Sequence, residues 1–278
     1  MKKIAAGIIT YNPDISLLSQ EIKSLVCFGI KTIIVVDNCS NNIIDISNLT
    51  SCKEVVLIKN NENYGVARAL NQIFRKASEL KIEAVLTLDQ DSILPSNTLS
   101  LLIQDYFENK IGIVCPSINY IGKNHSVDSE RIVPVEWAIT SGSLTNLKAW
   151  ESAAGFNELL FIDYVDYDFC FRIRKLGYKV LQKKDVVFSH HLGEIKKGRF
   201  LFLKRTIISH SAIRYYYKAR NLTFLCKKKE IGYFAYVKKI MDMRINALFE
   251  SDSKKKRAML KLGIHDGKRL FYNHYKTK

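Results

Sequence analysis

Residues 84–91 read AVLTLDQD, a short apolar run that ends in two acidic residues. Such a run predicts a buried β-strand with residues 89–91 (DQD) at its carboxyl end. Two similar runs occur earlier in the chain: residues 4–10 (IAAGIIT) lead into a turn cluster, and residues 32–36 (TIIVV) end at Asp37. The first part of the chain is therefore predicted to contain buried strands whose carboxyl ends carry polar side chains.

Segments with a helical spacing of apolar residues separate these strands. Predicted helices cover residues 15–28, 64–80 and 96–107, and a further short strand covers residues 55–58. Later strands are predicted at residues 111–115, 133–137, 142–146 and 180–188, with a helix over residues 169–175. Alternating strands and helices are typical of a parallel sheet with crossover helices, in which ligands bind beyond the carboxyl ends of the strands. Because the later strands follow in mixed order, we expect a mixed α/β sheet flanked by helices.

The charge of the chain is distributed unevenly. Residues 196–278 hold 23 Lys and Arg against 5 Asp and Glu, a net charge of +18, whereas residues 1–195 have a net charge of −2. We expect an almost neutral domain over residues 1–195 and a basic, helical and aromatic-rich region over residues 196–278. A field of this sign attracts polyanions, which are either nucleic acid or the anionic inner face of the cell membrane.

Several classes of protein are disfavoured by the sequence. No apolar run approaches the ~18 residues of a membrane-spanning helix, and the N-terminal run is too short for a secretory signal, so we expect a cytoplasmic protein. The six cysteines do not have the spacing of a zinc or redox site and are expected to be free thiols. Glycine-rich motifs of dinucleotide-binding proteins and of P-loop NTPases are absent.

Two acidic segments could carry chemistry. Asp89 and Asp91 could bind a divalent cation that also binds a diphosphate, because hard oxygen ligands suit Mg²⁺ and Mn²⁺. The alternative interpretation of these two residues is a solvated acidic loop. Residues 161–168 (FIDYVDYD) place three carboxylates within six residues. One of them could serve as a general base, or they could cap the N-terminus of the following helix.

Two further positions have open interpretations. Asp37 could bind a nucleotide ribose or base, or it could close the strand in an ordinary Asx turn. His190 and His191 follow a predicted strand, where an imidazole could complete a metal shell or simply form polar surface.

Taken in order, these segments resemble the nucleotide-sugar glycosyltransferases of family 2, which have the GT-A fold, and within them the bacterial rhamnosyltransferases of polysaccharide assembly. The similarity is carried by residues 7–14 (GIITYNPD), 35–40 (VVDNCS), 63–71 (NYGVARALN), 86–92 (LTLDQDS), 140–144 (TSGSL), 155–178 (GFNELLFIDYVDYDFCFRIRKLGY) and 190–193 (HHLG). It covers residues 4–195, with weaker echoes at residues 214–222 (RYYYKARNL) and 263–267 (GIHDG).

The resemblance implies a role for each matching position. The nucleotide would be held by Thr10, Tyr11, Asp37, Asn63, Gly65 and Asp89. A divalent cation, Mg²⁺ or Mn²⁺, would be held by Asp89, Asp91 and His190, although the adjacent His191 could replace His190. The donor and acceptor sugars would be oriented by Thr140, Ser141 and Gly142. Asp166 would be the catalytic base, in a segment that reads Val-Asp where the family usually has Glu-Asp.

The implied activity is transfer of a sugar with inversion, with L-rhamnose from a dTDP donor as the expected case. The acceptor would be a glycan or a lipid-linked glycan in bacterial surface polysaccharide synthesis, met at the inner face of the cell membrane. Within the enzyme class, the alternative is a hexosyltransferase that uses a UDP-sugar. A nucleic-acid-binding protein would explain the basic region but gives no role to the ordered segments, so no nucleic acid partner is expected. An inactive scaffold is disfavoured because Asp89, Asp91, Asp166 and His190 are all present.

Overall fold

The structure is a computed structural model that describes residues 3–92, 94–95, 97–104, 106, 110–119, 131–189, 195–200, 203–208 and 210–275. The chain divides into two compact units. The first comprises residues 1–161 and 165–190, and the second comprises residues 162–164 and 191–278.

The first unit is built on a mixed sheet. Its strands are β1 (Ile4–Thr10), β2 (Ile33–Asp37), β3 (Val55–Lys59), β4 (Ala84–Asp89), β5 (Ile111–Asn119), β6 (Ile132–Pro134), β7 (Ser143–Asn146) and β8 (Lys179–Ser189). Across the described residues, these eight strands lie in the order β3-β2-β1-β4-β7-β5-β8-β6. Strands β1 to β4 run parallel to their neighbours within this group, whereas β7 is antiparallel to both β4 and β5.

The parallel register places three polar strand ends at one edge of the sheet. Thr10 is the register partner of Asp37, and Ile9 is the register partner of Asp89. The carboxyl ends of β1, β2 and β4 are therefore adjacent, which is the place where ligands bind in sheets of this kind.

Helices flank the sheet of the first unit. They are α1 (Ile15–Cys27), α2 (Ile43–Leu49), α3 (Gly65–Glu79), α4 (Thr98–Gln104), α5 (Leu147–Ser152) and α6 (Val165–Lys175), and a 3₁₀ turn covers Glu158–Leu160. Helix α1 begins after Asp14, whose carboxylate accepts hydrogen bonds from the backbone N–H groups of Ser16 and Leu17. Helix α3 buries Leu70, Ile73 and neighbouring small residues, as its apolar period predicts.

The second unit contains an antiparallel hairpin followed by helices. The hairpin is formed by β9 (Ile195–Phe200) and β10 (Leu203–Ile208), and the helices are α7 (Ala212–Lys227), α8 (Tyr233–Phe249) and α9 (Ser253–Tyr275). Helices α7 and α9 approach closely because α9 has glycines four residues apart. A Cβ atom at Gly263 or Gly267 would lie 2.3 Å from the carbonyl oxygen of Tyr216 or Arg220, respectively.

The structure confirms the mixed α/β sheet with flanking helices and corrects several boundaries. Helix α6 begins at Val165, four residues before the predicted start at residue 169, because the acidic residues that were expected to precede the helix form its first turn. Strand β6 ends at Pro134 rather than at residue 137. Of the helix predicted over residues 96–107, α4 covers Thr98–Gln104, and residues 96, 105 and 107 lie outside the described residues. The hairpin after residue 194 was not predicted, because its lysines and arginines interrupt the apolar pattern.

Two further sequence-based expectations concern cysteines and membrane spans. All six cysteines are free thiols, as predicted. Within the described part of the chain, no helix is both long enough and apolar enough to cross a membrane.

Candidate active site

The ends of β1 and β2 are joined by a buried hydrogen-bond network. The hydroxyl of Thr10 donates to Oδ1 of Asp37 at 2.9 Å, and the backbone N–H of Ser40 donates to Oδ2 of Asp37 at 2.9 Å. Thr10 and Asp37 are both completely buried. Asp37 therefore closes the strand end through Thr10 and through Ser40, which is three residues on rather than the two of an Asx turn, and the nucleotide-binding role of Asp37 stays a prediction.

The ends of β1 and β4 are joined through Gln90. The backbone N–H of Tyr11 donates to Oε1 of Gln90 at 2.8 Å, and the Tyr11 side chain is half exposed. Asp89 and Asp91 flank Gln90 and are both exposed. The structure thus brings Tyr11 beside two solvent-accessible carboxylates.

The segment that leads into β7 lies against the same loop. The backbone N–H of Asp89 donates to the hydroxyl oxygen of Ser141 at 3.2 Å, and the hydroxyl groups of Ser141 and Ser92 are 3.0 Å apart. The backbone N–H of Gly142 donates to the carbonyl of Thr87 at 2.8 Å, and the Thr87 hydroxyl donates to the carbonyl of Thr140. Residues 140–142, which are predicted to bind the sugars, are therefore neighbours of Asp89, one of the predicted metal ligands.

Beneath these carboxylates, α1 carries a residue that the sequence analysis did not single out. Glu21 is 2% exposed, and neither of its carboxyl oxygens has a hydrogen-bond partner among the described residues. Burial, together with the smaller effect of the negative charges of Asp89 and Asp91, raises the pKa of Glu21 to about 9. Glu21 is therefore protonated at neutral pH. Its spacing from Leu18 and Ile22 places it on the apolar face of α1, a signal that could have identified it.

The start of α3 is shaped around a glycine. Asn63 accepts a hydrogen bond from the backbone N–H of Gly65 at 2.9 Å, and Gly65 has a φ of +81°. A Cβ atom at Gly65 would lie 2.5 Å from the carbonyl oxygen of Phe161, which accepts a hydrogen bond from the backbone N–H of Val66 at 2.6 Å. The backbone at the start of α3, where Asn63 and Gly65 lie, thus packs against the carbonyl group of Phe161.

The three carboxylates of residues 161–168 have different environments. Asp168 is completely buried and lies 2.7 Å from Nε of Arg172, and Asp163 lies 3.3 Å from the guanidinium of Arg214. Asp166 is partly exposed in the first turn of α6, and its Oδ1 accepts a hydrogen bond from the backbone N–H of Tyr167 at 2.8 Å. The role of Asp166 as the general base stays a prediction.

Two of the three predicted metal ligands, Asp89 and Asp91, lie within the described residues. Asp89 and Asp91 offer exposed hard oxygen donors, which fit Mg²⁺ or Mn²⁺ when substrate phosphates complete the coordination. In the ranges that the structure describes, no group of three or more His, Cys, Asp or Glu side chains could hold a metal ion. The predicted third ligand, His190, and its neighbour His191 lie outside the described residues.

The fold is that of solved GT-A glycosyltransferases. The mannosyltransferase PcManGT from Pyrobaculum calidifontis, solved with GDP-Man and Mn²⁺, has a TM-score of 0.56 and 15% sequence identity, with 99% of this chain and 76% of that chain covered. GalNAc-T7, solved with UDP, GalNAc and Mn²⁺, has a TM-score of 0.62 and 13% identity, with 99% of this chain and 58% of that chain covered. At these identities the likeness establishes the fold, which confirms the predicted GT-A architecture.

Sequence similarity to known proteins agrees with the fold. The dTDP-rhamnosyl transferase RfbF of Shigella flexneri is 27% identical over 260 residues, which cover 86% of this chain and 84% of that protein. The family model described as Glycosyl transferase family 2 matches residues 6–174, more than half of the chain. That range contains the sheet edge at Thr10, Asp37 and Asp89 as well as Asp166, and the chain therefore belongs to glycosyl transferase family 2.

Proposed function

We propose that the protein transfers L-rhamnose from dTDP-rhamnose, with inversion, to a glycan or lipid-linked glycan during bacterial surface polysaccharide synthesis. Residues 1–195 are the proposed catalytic domain. The observation that carries the proposal is the convergence of residues 10–12, 37–40, 89–92 and 140–142 at one edge of the sheet. The choice of sugar is supported by the similarity to RfbF.

The donor is proposed to bind at this edge. Thr10 and Asp37 form its buried floor, the half-exposed Tyr11 side chain offers a surface for the base, and Asn63 and Gly65 form its side at the start of α3. The diphosphate would lie near Asp89 and Asp91. A divalent cation held by these two carboxylates, with His190 as a third ligand, would offset the charge of the leaving nucleoside diphosphate.

The transfer itself needs one base and one correctly placed hydroxyl. Asp166 removes the proton from the acceptor hydroxyl as its oxygen attacks the anomeric carbon of the sugar from the face opposite the diphosphate. The bond to the diphosphate breaks in the same displacement, so the configuration inverts and no covalent enzyme intermediate is formed. Residues 140–142, bonded to the loop of Asp89, hold the sugar in position for this attack.

We further propose that residues 196–278 bind the inner face of the cell membrane as a peripheral anchor. Their net charge of +18 favours anionic lipid. Helix α8 adds an exposed apolar stripe, because Phe234 is 85% exposed and Val237, Met241 and Leu248 follow at helical spacing, also exposed. Exposed cations, Lys238 among them, lie on the same helix. Such a helix can lie in the membrane interface, where a lipid-linked acceptor presents its hydroxyl.

A panel of nucleotide sugars tests the activity and its donor together. The purified chain is incubated with dTDP-rhamnose, UDP-glucose, UDP-GlcNAc and GDP-mannose in the presence of Mg²⁺ or Mn²⁺, and binding and hydrolysis of each donor are measured. Preferential use of dTDP-rhamnose is expected. Preferential use of a UDP-sugar would replace the rhamnosyl assignment by the hexosyltransferase alternative, and failure to bind any of the donors would contradict the proposed activity.

A further inference from the structure

The loop that leads to Asp166 has an unusual backbone. Phe161, Asp163 and Tyr164 have φ angles of 54°, 63° and 64°, so three non-glycine residues within four positions have φ in the left-handed range. Left-handed non-glycine residues are strained and persist only where the surrounding structure determines them, and they are most frequent at functional sites. The contacts that hold this loop therefore bear on the position of Asp166, which follows it in the sequence.

The loop is held differently at its two ends. At its start, the carbonyl of Phe161 accepts the hydrogen bond from Val66, within the first compact unit. Residues 162–164 belong instead to the second unit, and the chain returns to the first unit at Val165, where α6 begins. The C-terminal unit therefore contributes the contacts that fix the three residues before α6.

Asn221 of α7 makes the most specific of these contacts. Its Nδ2 donates to the carbonyl oxygens of Ile162 and Asp163, at 2.8 and 2.9 Å. Its Oδ1 accepts a hydrogen bond from Nε of Arg220 at 2.9 Å, which fixes the orientation of the amide so that the NH₂ group faces the two carbonyls. Asn221 is completely buried, so these bonds are shielded from competition with water.

Arg214, also on α7, holds the same loop by its side chain. Its guanidinium lies 3.3 Å from the carboxylate of Asp163. One residue therefore fixes the backbone of the loop, and the other fixes a side chain within it. Both act within three residues of Asp166 in the first turn of α6.

We infer that Asn221 and Arg214 are positioning residues that set the place of Asp166 through the left-handed loop. The inference rests on the proposed function, in which Asp166 is the general base. A base must lie within hydrogen-bond reach of its proton, and a misplacement of ~1 Å can lower turnover by ~10²-fold.

The test compares two variants of α7. Asn221→Ala removes both bonds to the loop, whereas Thr223→Val, the control, removes a buried hydroxyl that bonds to the carbonyl of Ala219 on the same helix. Turnover, donor dissociation constant and melting temperature are measured on the full chain, well below either melting temperature. We expect Asn221→Ala to lower kcat about 10- to 100-fold with donor affinity within about twofold, and Thr223→Val to leave kcat nearly unchanged. Equal kcat values for the two variants would overturn the inference.

A double-mutant comparison separates this inference from the proposed function. Asn221→Ala is combined with Asp166→Asn, and the residual turnover is measured in long incubations. If Asn221 acts through Asp166, the second substitution lowers the residual turnover much less than it lowers that of the wild type. An equal loss in both backgrounds would contradict the positioning role and leave the base assignment intact. An Asp166→Asn variant with near wild-type turnover would overturn the base assignment and the positioning role together.

Substitution of Arg214 is a second test, with a smaller expected effect on kcat. Arg214→Gln removes the charge that pairs with Asp163 at a partly exposed site and should leave the unit folded. We expect a smaller fall in kcat than for Asn221→Ala, with partial recovery in Arg214→Lys because the positive charge is kept. Full activity in Arg214→Gln would remove Arg214 from the positioning role.

Discussion

The hydroxyl oxygen of Ser141 accepts a hydrogen bond from the backbone N–H of Asp89, at 3.2 Å. These residues are far apart in the sequence, yet the hydrogen bond joins the segment before β7 to the loop that contains the exposed carboxylates of Asp89 and Asp91. In the proposed mechanism, the sugar of the donor and its diphosphate are therefore held by one connected structure rather than by two independent loops.

Turnover should require a divalent cation, because Asp89 and Asp91 alone add negative charge where a diphosphate must leave. Asp91→Asn should raise the Mn²⁺ concentration for half-maximal turnover at least ~10-fold, since one hard ligand loses its charge. Asp45→Asn, at an exposed acid of α2, is the control and should have no effect. Full turnover of the wild type in excess chelator would contradict the metal assignment.

The stability of the protein should depend on the protonation of Glu21. Its pKa is about 9 in the folded state and near 4.5 in the unfolded state, so between these pH values only the folded state keeps the proton. The free energy of unfolding of the wild type should therefore fall as the pH rises from 4.5 to 9, by at most about 1.4 kcal/mol per pH unit from this group.

Glu21→Gln removes this dependence because an amide does not titrate. The variant should gain stability relative to the wild type as the pH rises, which denaturant unfolding at pH 5, 7 and 8.5 measures. Glu79→Gln, at an exposed position of α3, controls for the loss of a surface carboxyl group. A constant difference between Glu21→Gln and wild type across this pH range would show that Glu21 is ionised in the folded state.

The close approach of α3 to Phe161 should make Gly65 much less replaceable than a comparable glycine. Gly29 has a similar φ of +80°, but a Cβ atom added there would have no neighbouring atom within 4 Å. Gly29→Ala should cost about 1–2 kcal/mol for the left-handed backbone alone, whereas Gly65→Ala should cost at least ~1 kcal/mol more because the methyl group meets Phe161. Denaturant unfolding of both variants measures this difference, and equal losses would contradict the described packing.

The strands of the first half were predicted well because each is a short apolar run that ends at a turn residue. The boundaries of β1, β2, β3 and β4 agree with the prediction within one residue. The start of α6 was missed because Asp166 and Asp168 interrupt the apolar period of its first turn. The β9–β10 hairpin was missed because lysines and arginines interrupt the apolar pattern of its two strands.

For the candidate site, the sequence indicated which strand ends carry polar side chains but not how these strand ends are connected. The bonds from Tyr11 to Gln90 and from Asp89 to Ser141 join residues that are distant in the sequence, so no local pattern reveals them. The contacts of Asn221 with the loop before α6 were hidden for the same reason, although the surrounding segment had been noted as a weak echo of the family.

Membrane binding should depend on where the positive charge lies, and two sets of substitutions by Gln remove the same charge from different units. The first set, exposed in the C-terminal unit, comprises Lys238, Lys254, Lys255 and Arg257. The second set, exposed in the first unit, comprises Lys23, Lys31, Lys53 and Lys148. Lys256 is left intact because it is buried 2.6 Å from Glu250.

Co-sedimentation with vesicles should distinguish the two sets. Each cation near an anionic leaflet contributes roughly 1 kcal/mol, so the first set should weaken binding to anionic vesicles at least ~10-fold and the second set should weaken it little. Added salt should reduce the binding of the wild type, and neutral vesicles should bind it weakly. Equal binding of the wild type to neutral and anionic vesicles would exclude an electrostatic anchor.

The central claim, that Asp166 is the base of a nucleotide-sugar glycosyltransferase, is tested most directly by Asp166→Asn. Donor dissociation constant and turnover with the preferred nucleotide sugar are measured on the same preparation. We predict that turnover falls by ~10²–10⁴-fold while donor affinity stays within about twofold, because the carboxylate acts on the acceptor hydroxyl. Turnover within a few-fold of the wild type would contradict this account.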